Sequence, residues 1–143
     1  MQIERFIKAP LSRVFQAWLN SNDICQWFSP HGFSVPKAQI DGIIGGLFNV
    51  TMRAPEGWEH ETHGRFIAIS DNQHLIIEMF VPDLDKPLFK AMTHAHFRAQ
   101  DEGTVIEIEQ SYDIFDEAAS PMIKGAPLGW AQTLDKLQAL VEI

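Results

Sequence analysis

Six histidines in 143 residues make metal binding the first chemistry to consider. His94 and His96 are separated by one residue, so a β-strand would place both imidazoles on one face. Imidazole is a good ligand for Zn²⁺, Cu²⁺ and Ni²⁺. His60 and His63 are nearby candidates, but strand alternation sends them to opposite faces. At about 4.8 Å per strand step, His63 would lie about 10 Å from the pair. We therefore expect exposed histidines, no metal site and no stoichiometric transition metal.

Covalent and acid–base catalysis have no sequence motif in this chain. Gly-x-Ser-x-Gly, glycine-rich phosphate loops and paired carboxylates are absent. Cys25 is the only cysteine, so no intrachain disulfide can form. We expect Cys25 to be a small apolar residue of a short helix rather than a nucleophile. We therefore assign no catalytic residue and no cofactor.

Strand alternation gathers a different set of side chains on one inner face. Charged residues such as Glu107 and Glu109 mark the outer face of each predicted strand, which leaves a mainly apolar inner face with a few isolated polar groups. Such a face is typical of small-molecule cavities of about 300–1,000 Å³. The alternative is a packed core in which the polar groups bond one another or the backbone. The predicted ligand-binding residues are Phe48, Met52, His60, Thr62, Met79, Phe97, Ile108, Gln110, Tyr112 and Trp130.

The elements that must position these residues are a series of strands closed by one helix. Trp130, Leu134, Leu137 and Val141 recur at intervals of 4, 3 and 4, which predicts an amphipathic helix over 127–141. Its apolar stripe must pack on the sheet to leave water. We expect Trp130 near Phe48, Met79 or Phe97, Gly129 to let the helix approach or turn, and residues 116–126 to form an irregular, mobile connection. The remaining predicted elements are a strand over 2–8, helices over 11–19 and 21–28, and strands over 33–40, 46–53, 59–69, 75–81, 90–99 and 104–113, with a turn at 82–83.

This order of elements resembles the helix-grip fold of the START-like superfamily. That fold is α+β, with a curved antiparallel sheet of about seven strands, two short helices after the first strand, and a long C-terminal helix over the sheet. Over residues 1–143, as a single domain, the chain is similar to the group homologous to the C-terminal domain of the activator of heat-shock-protein-90 ATPase. The similar motifs are Ile-Lys-Ala-Pro at 7–10 with Val-Phe-Gln-Ala-Trp at 14–18, Gln-Trp-Phe at 26–28 with Pro30, Asp-Gly-Ile-Ile-Gly-Gly at 41–46, and Gly129-Trp130 with Leu134 and Leu137.

The resemblance implies a cavity between sheet and helix that holds a hydrophobic or aromatic small molecule. It also leaves two alternatives open: a cyclase- or hydrolase-type enzyme in the same pocket, with His60 as acid or base and Tyr112 as donor, and a chaperone-associated interaction domain that uses its outer surface.

The chain departs from the family's pattern in two ways. Ile43 stands where the family often has a basic residue, and 143 residues leave no room for the N-terminal domain with which the eukaryotic co-chaperone engages its chaperone. The family name is therefore not taken as the function.

Charge and hydropathy exclude further classes of partner. The net charge of −8, with 11 scattered Lys and Arg, argues against nucleic acid and against an anionic membrane surface. No signal peptide opens the chain and no apolar run reaches membrane-span length, so we expect a cytoplasmic protein. The oligomeric state is open, with a homodimer among the alternatives.

Overall fold

The computed structural model describes residues 1–80 and 89–142, and seven antiparallel strands form one curved sheet in them. The strands are β1 (Gln2–Ile7), β2 (Ser34–Ile40), β3 (Phe48–Arg53), β4 (Glu59–Ser70), β5 (His74–Phe80), β6 (Phe89–Gln100) and β7 (Gly103–Ile114). Their order across the sheet is β1-β7-β6-β5-β4-β3-β2. The first and last strands of the chain are thus neighbours, and the other strands follow as a meander.

Two short helices connect β1 to β2. They are α1 (Leu11–Gln16) and α2 (Ser21–Trp27). The side chain of Asn20 caps α2 by accepting a hydrogen bond of 2.8 Å from the backbone N–H of Asp23. Arg13 of α1 forms an ion pair with Asp23 at 2.7 Å, so the two helices are also joined through their side chains.

The C-terminal segment is more regular than the sequence suggested. A 3₁₀ turn (Glu117–Ala119) leads into α3 (Ser120–Lys124), and α4 (Ala126–Val141) follows after one residue. The prediction of an irregular connection over 116–126 is therefore wrong. The carboxylate of Asp116 accepts a hydrogen bond from the N–H of Ala118 at 2.9 Å, and Pro121 occupies the first turn of α3, which suits a residue without an N–H.

The predicted facings of the strands are confirmed by burial. In β6, for example, Thr93, Ala95 and Phe97 are buried while His94 and Arg98 reach solvent. β4 carries a bulge between Phe66 and Ala68, which leaves Ile67 as the extra, half-exposed residue and bends the strand. The predicted end of β5 at Val81 and the turn at 82–83 lie outside the described residues.

A glycine-rich turn over 41–46 joins β2 to β3 and is fixed to β4. Gly45 has φ +83°, a region that favours glycine, and a Cβ on Gly46 would lie 2.1 Å from the carbonyl oxygen of Asp41. The N–H of Gly45 and the carbonyl of Gly46 bond the backbone of Phe66 at 2.7 and 3.0 Å. These two bonds hold the turn against β4.

The long helix lies on the concave face as predicted. Its residues Trp130, Leu134, Leu137 and Val141 are buried, and together with the seven strands and the two short helices this confirms the α+β helix-grip prediction. No helix within residues 1–80 and 89–142 has the length and apolar character that crossing a membrane requires.

Candidate functional site

A cavity of about 420 Å³ lies between the inner face of the sheet and the C-terminal helices. Its walls come from β3 to β7, from residues 28–33, from α3 and from the first two turns of α4. The cavity does not extend beneath the second half of α4, where Leu134, Leu137 and Val141 are buried, so it occupies only one end of the concave face. Seven of the predicted ligand-binding residues line it: Met52, His60, Thr62, Met79, Gln110, Tyr112 and Trp130.

The other three predicted residues, Phe48, Phe97 and Ile108, are buried but do not line the cavity. Phe97 is covered by the rings of Phe15 and Trp18, at centroid distances of 5.2 and 6.0 Å. Phe15 of α1 and Trp18, two residues after the end of α1, are buried and fill this part of the concave face. Strand alternation identified the inner face, but it could not show how far along each strand the helices would fill it.

The chain segment before α4 supplies a wall that sequence reasoning missed. Pro121, Met122 and Ile123 of α3 line the cavity, and so do Phe33 and Phe89. The missed signal was Pro121 at a helix start followed by two apolar residues, a combination that indicates a short helix with one apolar side. Because 116–126 was predicted to be irregular, no facing was assigned to it.

A chain of polar groups crosses the floor of the cavity. The Tyr112 hydroxyl donates to Oε1 of Gln110 at 2.7 Å, and Nε2 of Gln110 donates to the Thr93 hydroxyl at 2.8 Å. The Thr93 hydroxyl in turn lies 3.8 Å from the sulfur of Met79. Burial raises the pKa of Tyr112, so the phenol stays protonated and serves as a hydrogen-bonding group rather than as a base.

His60 lies in an aromatic group at the other side of the cavity. Its ring is 5.7 Å from Trp58 and 6.4 Å from Phe33, measured between centroids, and Trp58 is 52% exposed. Burial lowers the pKa of the His60 imidazole because desolvation disfavours its charged form. The cavity therefore contains a neutral imidazole, which can donate one hydrogen bond and accept another.

Trp130 is buried, and its aromatic neighbours among the described residues are Trp18, stacked at 6.1 Å, and Phe28, edge-on at 5.7 Å. It lines the cavity together with Met79, one of its three expected neighbours. The expectation about Gly129 needs correction. Gly129 does not permit a close approach, since a Cβ there would meet no atom within 4 Å. It borders the open cavity instead.

The outer face of the sheet carries a histidine cluster that sequence reasoning missed in part. His94 and His96 point outward as predicted, and His63 lies apart from them beside Glu61 at 2.8 Å. The third imidazole is His74, which pairs in register with His96. Because β5 was predicted to begin at Leu75, His74 was left in the turn. Extending the alternation by one residue would have placed it on this face.

Comparison with known proteins agrees with the fold. The model of the family described as Activator of Hsp90 ATPase homolog 1-like protein matches residues 8–142. A structure from Chromobacterium violaceum is similar with 26% identity and a TM-score of 0.88, covering 100% of this chain and 96% of its own. One from Rhizobium leguminosarum has 26% identity and a TM-score of 0.76, covering 99% and 93%.

A third structure, of a Silicibacter pomeroyi protein named for the same family, has 18% identity and a TM-score of 0.80, covering 99% of this chain and 96% of its own. A comparison with curated proteins found no match. The family match covers nearly all of the chain, and the motifs and the fold agree with it. The chain belongs to the Activator of Hsp90 ATPase homolog 1-like family.

Proposed function

We propose that this protein binds a small aromatic or otherwise hydrophobic molecule, carrying one or two polar substituents, in the cavity beneath the first half of α4. The observation that carries the proposal is the cavity of about 420 Å³ itself, with an apolar wall and a short polar chain on its floor. Both its size and its composition are typical of small-molecule sites. A tightly packed core would leave no comparable space.

The apolar wall supplies most of the binding free energy. Burying about 200 Å² of apolar ligand surface contributes roughly 5 kcal/mol at about 25 cal/mol per Å². Loss of translational freedom and ordering of side chains oppose this gain. Because 5 kcal/mol corresponds to a dissociation constant of about 0.2 mM, we expect dissociation constants of about 0.2 mM or weaker for generic hydrophobic probes, and tighter binding for a ligand whose polar groups match the cavity floor.

The polar groups on the cavity floor determine which polar substituents of a ligand can form hydrogen bonds there. When the Tyr112 hydroxyl donates to Gln110, its oxygen remains able to accept, and Gln110 retains a second N–H. A ligand hydroxyl can donate a hydrogen bond to the Tyr112 oxygen and accept one from the free N–H of Gln110. We propose a phenol-like or alcohol-bearing aromatic molecule rather than a carboxylate.

The first experiment is native mass spectrometry of freshly purified protein, followed by thermal-shift measurements with naphthalene and 1-naphthol. Both probes should raise the melting temperature by mass action, and 1-naphthol should raise it more. The variant Gly129→Leu should abolish both shifts, because the new side chain enters the open cavity without a clash. Ala139→Leu places the same side chain on an exposed part of α4 and should leave both shifts intact.

Absence of any adduct and of any probe-induced shift would contradict the proposal. Retention of the shift in Gly129→Leu would also contradict it, because binding would then occur elsewhere. Gly129→Leu should itself remain folded, since leucine is a better helix former than glycine by up to about 1 kcal/mol. Circular dichroism and the melting temperature without ligand check this.

A cyclase- or hydrolase-type reaction in the same cavity is a second candidate. The observation that favours it is the neutral imidazole of His60 on the cavity wall, since such a group can take up a proton from a bound molecule. The test is turnover of a ligand identified by mass spectrometry. Loss of turnover with retained binding in His60→Gln would support catalysis.

Family membership supports a third candidate, a chaperone-associated interaction domain that uses its outer surface. Its test is the ATP hydrolysis rate of a purified heat-shock-protein-90 with and without this protein. A stimulation that is unchanged in Gly129→Leu would separate this function from ligand binding.

A further inference from the structure

The outer face of the sheet holds three imidazoles at metal-binding spacing. The nearest nitrogen atoms of His74, His94 and His96 all lie within 4.8 Å of one another, and Nε2 of His74 is 3.4 Å from Nδ1 of His94. Zinc–nitrogen bonds of about 2.0–2.1 Å at tetrahedral angles require nitrogen–nitrogen distances of about 3.4 Å. The His74–His94 pair, which is within hydrogen-bonding distance, is already at this spacing, and the set as a whole must contract from its limit of 4.8 Å by rotation of the side chains.

The backbone holds these three residues on rigid elements. His74 pairs in register with His96, and His94 lies opposite Ile76 on the same two strands. β5 and β6 each have hydrogen-bonded neighbours on both sides, so neither is an edge of the sheet. The three rings are stacked, with interplanar angles of 7°, 18° and 25°, so their in-plane lone pairs do not converge on one point. Binding an ion therefore requires rotation of the rings, while the paired backbone of β5 and β6 can stay in place.

Carboxylates stand beside the cluster on β7: Glu109 pairs in register with His94, and Glu107 with His96. Residues paired in this way share a face of the sheet. Glu109 can therefore serve as a fourth ligand or accept the second N–H of an imidazole.

We propose that His74, His94 and His96 form a site for a divalent transition metal ion, of which Zn²⁺ is the best match. Three imidazoles that leave a fourth position for water or carboxylate are a known zinc donor set. This replaces the expectation of no metal site, which took His63 as the third candidate and did not consider His74. The site lies on the opposite face of the sheet from the cavity, so the two proposals are independent.

The test is calorimetric titration of chelator-treated protein with Zn²⁺ alone. We expect saturation at one ion per chain and a rise in melting temperature. His74→Gln, His94→Gln and His96→Gln should each weaken binding on the order of 100-fold or more, beyond the roughly 10-fold loss expected for Glu109→Gln if it acts from the outer shell. The tetrahedral absorption bands of bound Co²⁺ should be lost in the same three variants.

His63→Gln is the matched control, because His63 is also partly exposed on the sheet but lies beside Glu61 and away from the cluster. This variant should bind Zn²⁺ with the same affinity and stoichiometry as the protein without substitutions. Two results would overturn the proposal: no saturable binding at one ion per chain, or equal weakening by His63→Gln and by the three cluster substitutions. Melting temperatures in chelator show whether each variant is folded.

Discussion

At the scale of single residues, the cavity is distinguished by polar groups that already have partners. Gln110 both accepts from Tyr112 and donates to Thr93, so its amide is held in one orientation. A side chain fixed in this way loses little conformational entropy when a ligand binds. These groups are therefore positioned before any ligand arrives.

Replacing Tyr112 by Phe tests the polar end of the cavity. The change removes a hydrogen bond of 2.7 Å to Gln110, so the free energy of unfolding should fall by about 1 kcal/mol. The thermal shift given by 1-naphthol should fall toward that given by naphthalene, whose own shift should hardly change. An equal loss for both probes would show that Tyr112 acts through shape rather than through its hydroxyl.

His60 should make stability depend on pH. Burial lowers its pKa in the folded state, whereas the unfolded chain takes up a proton near the ordinary value of 6.5. The contribution of the neutral ring is therefore complete above pH 6.5 and is lost as pH falls from there through the lowered folded-state pKa. Urea unfolding should show that, as pH falls through this interval, the protein with His60 loses free energy of unfolding relative to the His60→Gln variant. A ring titration by NMR at or above 6.5 would contradict this.

At the scale of elements, α4 is held in place by one apolar stripe and by two cationic side chains, one that reaches it from β1 and one that it extends to the segment after α2. Arg5 of β1 reaches Asp135 at 2.8 Å and the carbonyl of Ala131 at 3.1 Å. Lys136 of α4 donates to the carbonyls of Pro30 and Phe33, and also to the Ser29 hydroxyl. The second group of contacts ties the helix to a segment that borders the cavity.

Truncation of Trp130 should measure the apolar part of this attachment. The side chain is 8% exposed and packs on Trp18 and Phe28. Trp130→Ala should lower the free energy of unfolding by about 3–5 kcal/mol, as large-to-small core changes do. Denaturant unfolding provides the measurement. An unchanged midpoint would mean that the packing of α4 contributes little to stability.

Replacing Lys136 by Met tests the polar part. The change keeps most of the side-chain volume but removes the donor to three oxygen atoms, so we expect a loss of about 1–3 kcal/mol in the free energy of unfolding. Lys124→Met in α3 is the matched control, because that residue is exposed, and it should cost little. Equal effects of the two changes on urea unfolding would argue against the three-bond attachment.

At the scale of the whole molecule, the order of elements and the strand facings could be predicted because period-2 alternation is strong here. Glu78, Arg98 and Glu107 mark the outer face of strands whose alternate residues are apolar. The extent of the cavity could not be predicted, because it depends on how Phe15 and Trp18 fill one end of the concave face. The histidine cluster depends on where β5 begins, and strand ends are the least predictable feature of a sequence.

The pairing of β1 with β7 has a consequence for how the protein is made. Gln2 lies opposite Glu109 and Ile7 opposite Thr104, so β1 leaves the ribosome about 100 residues before its partner strand β7. Such distant pairings slow folding, because a long loop must close before its contacts are gained.

We expect a chain ending at residue 100 to remain unfolded by circular dichroism and to be rapidly proteolysed. During synthesis, β1 must therefore stay unpaired until β7 has emerged.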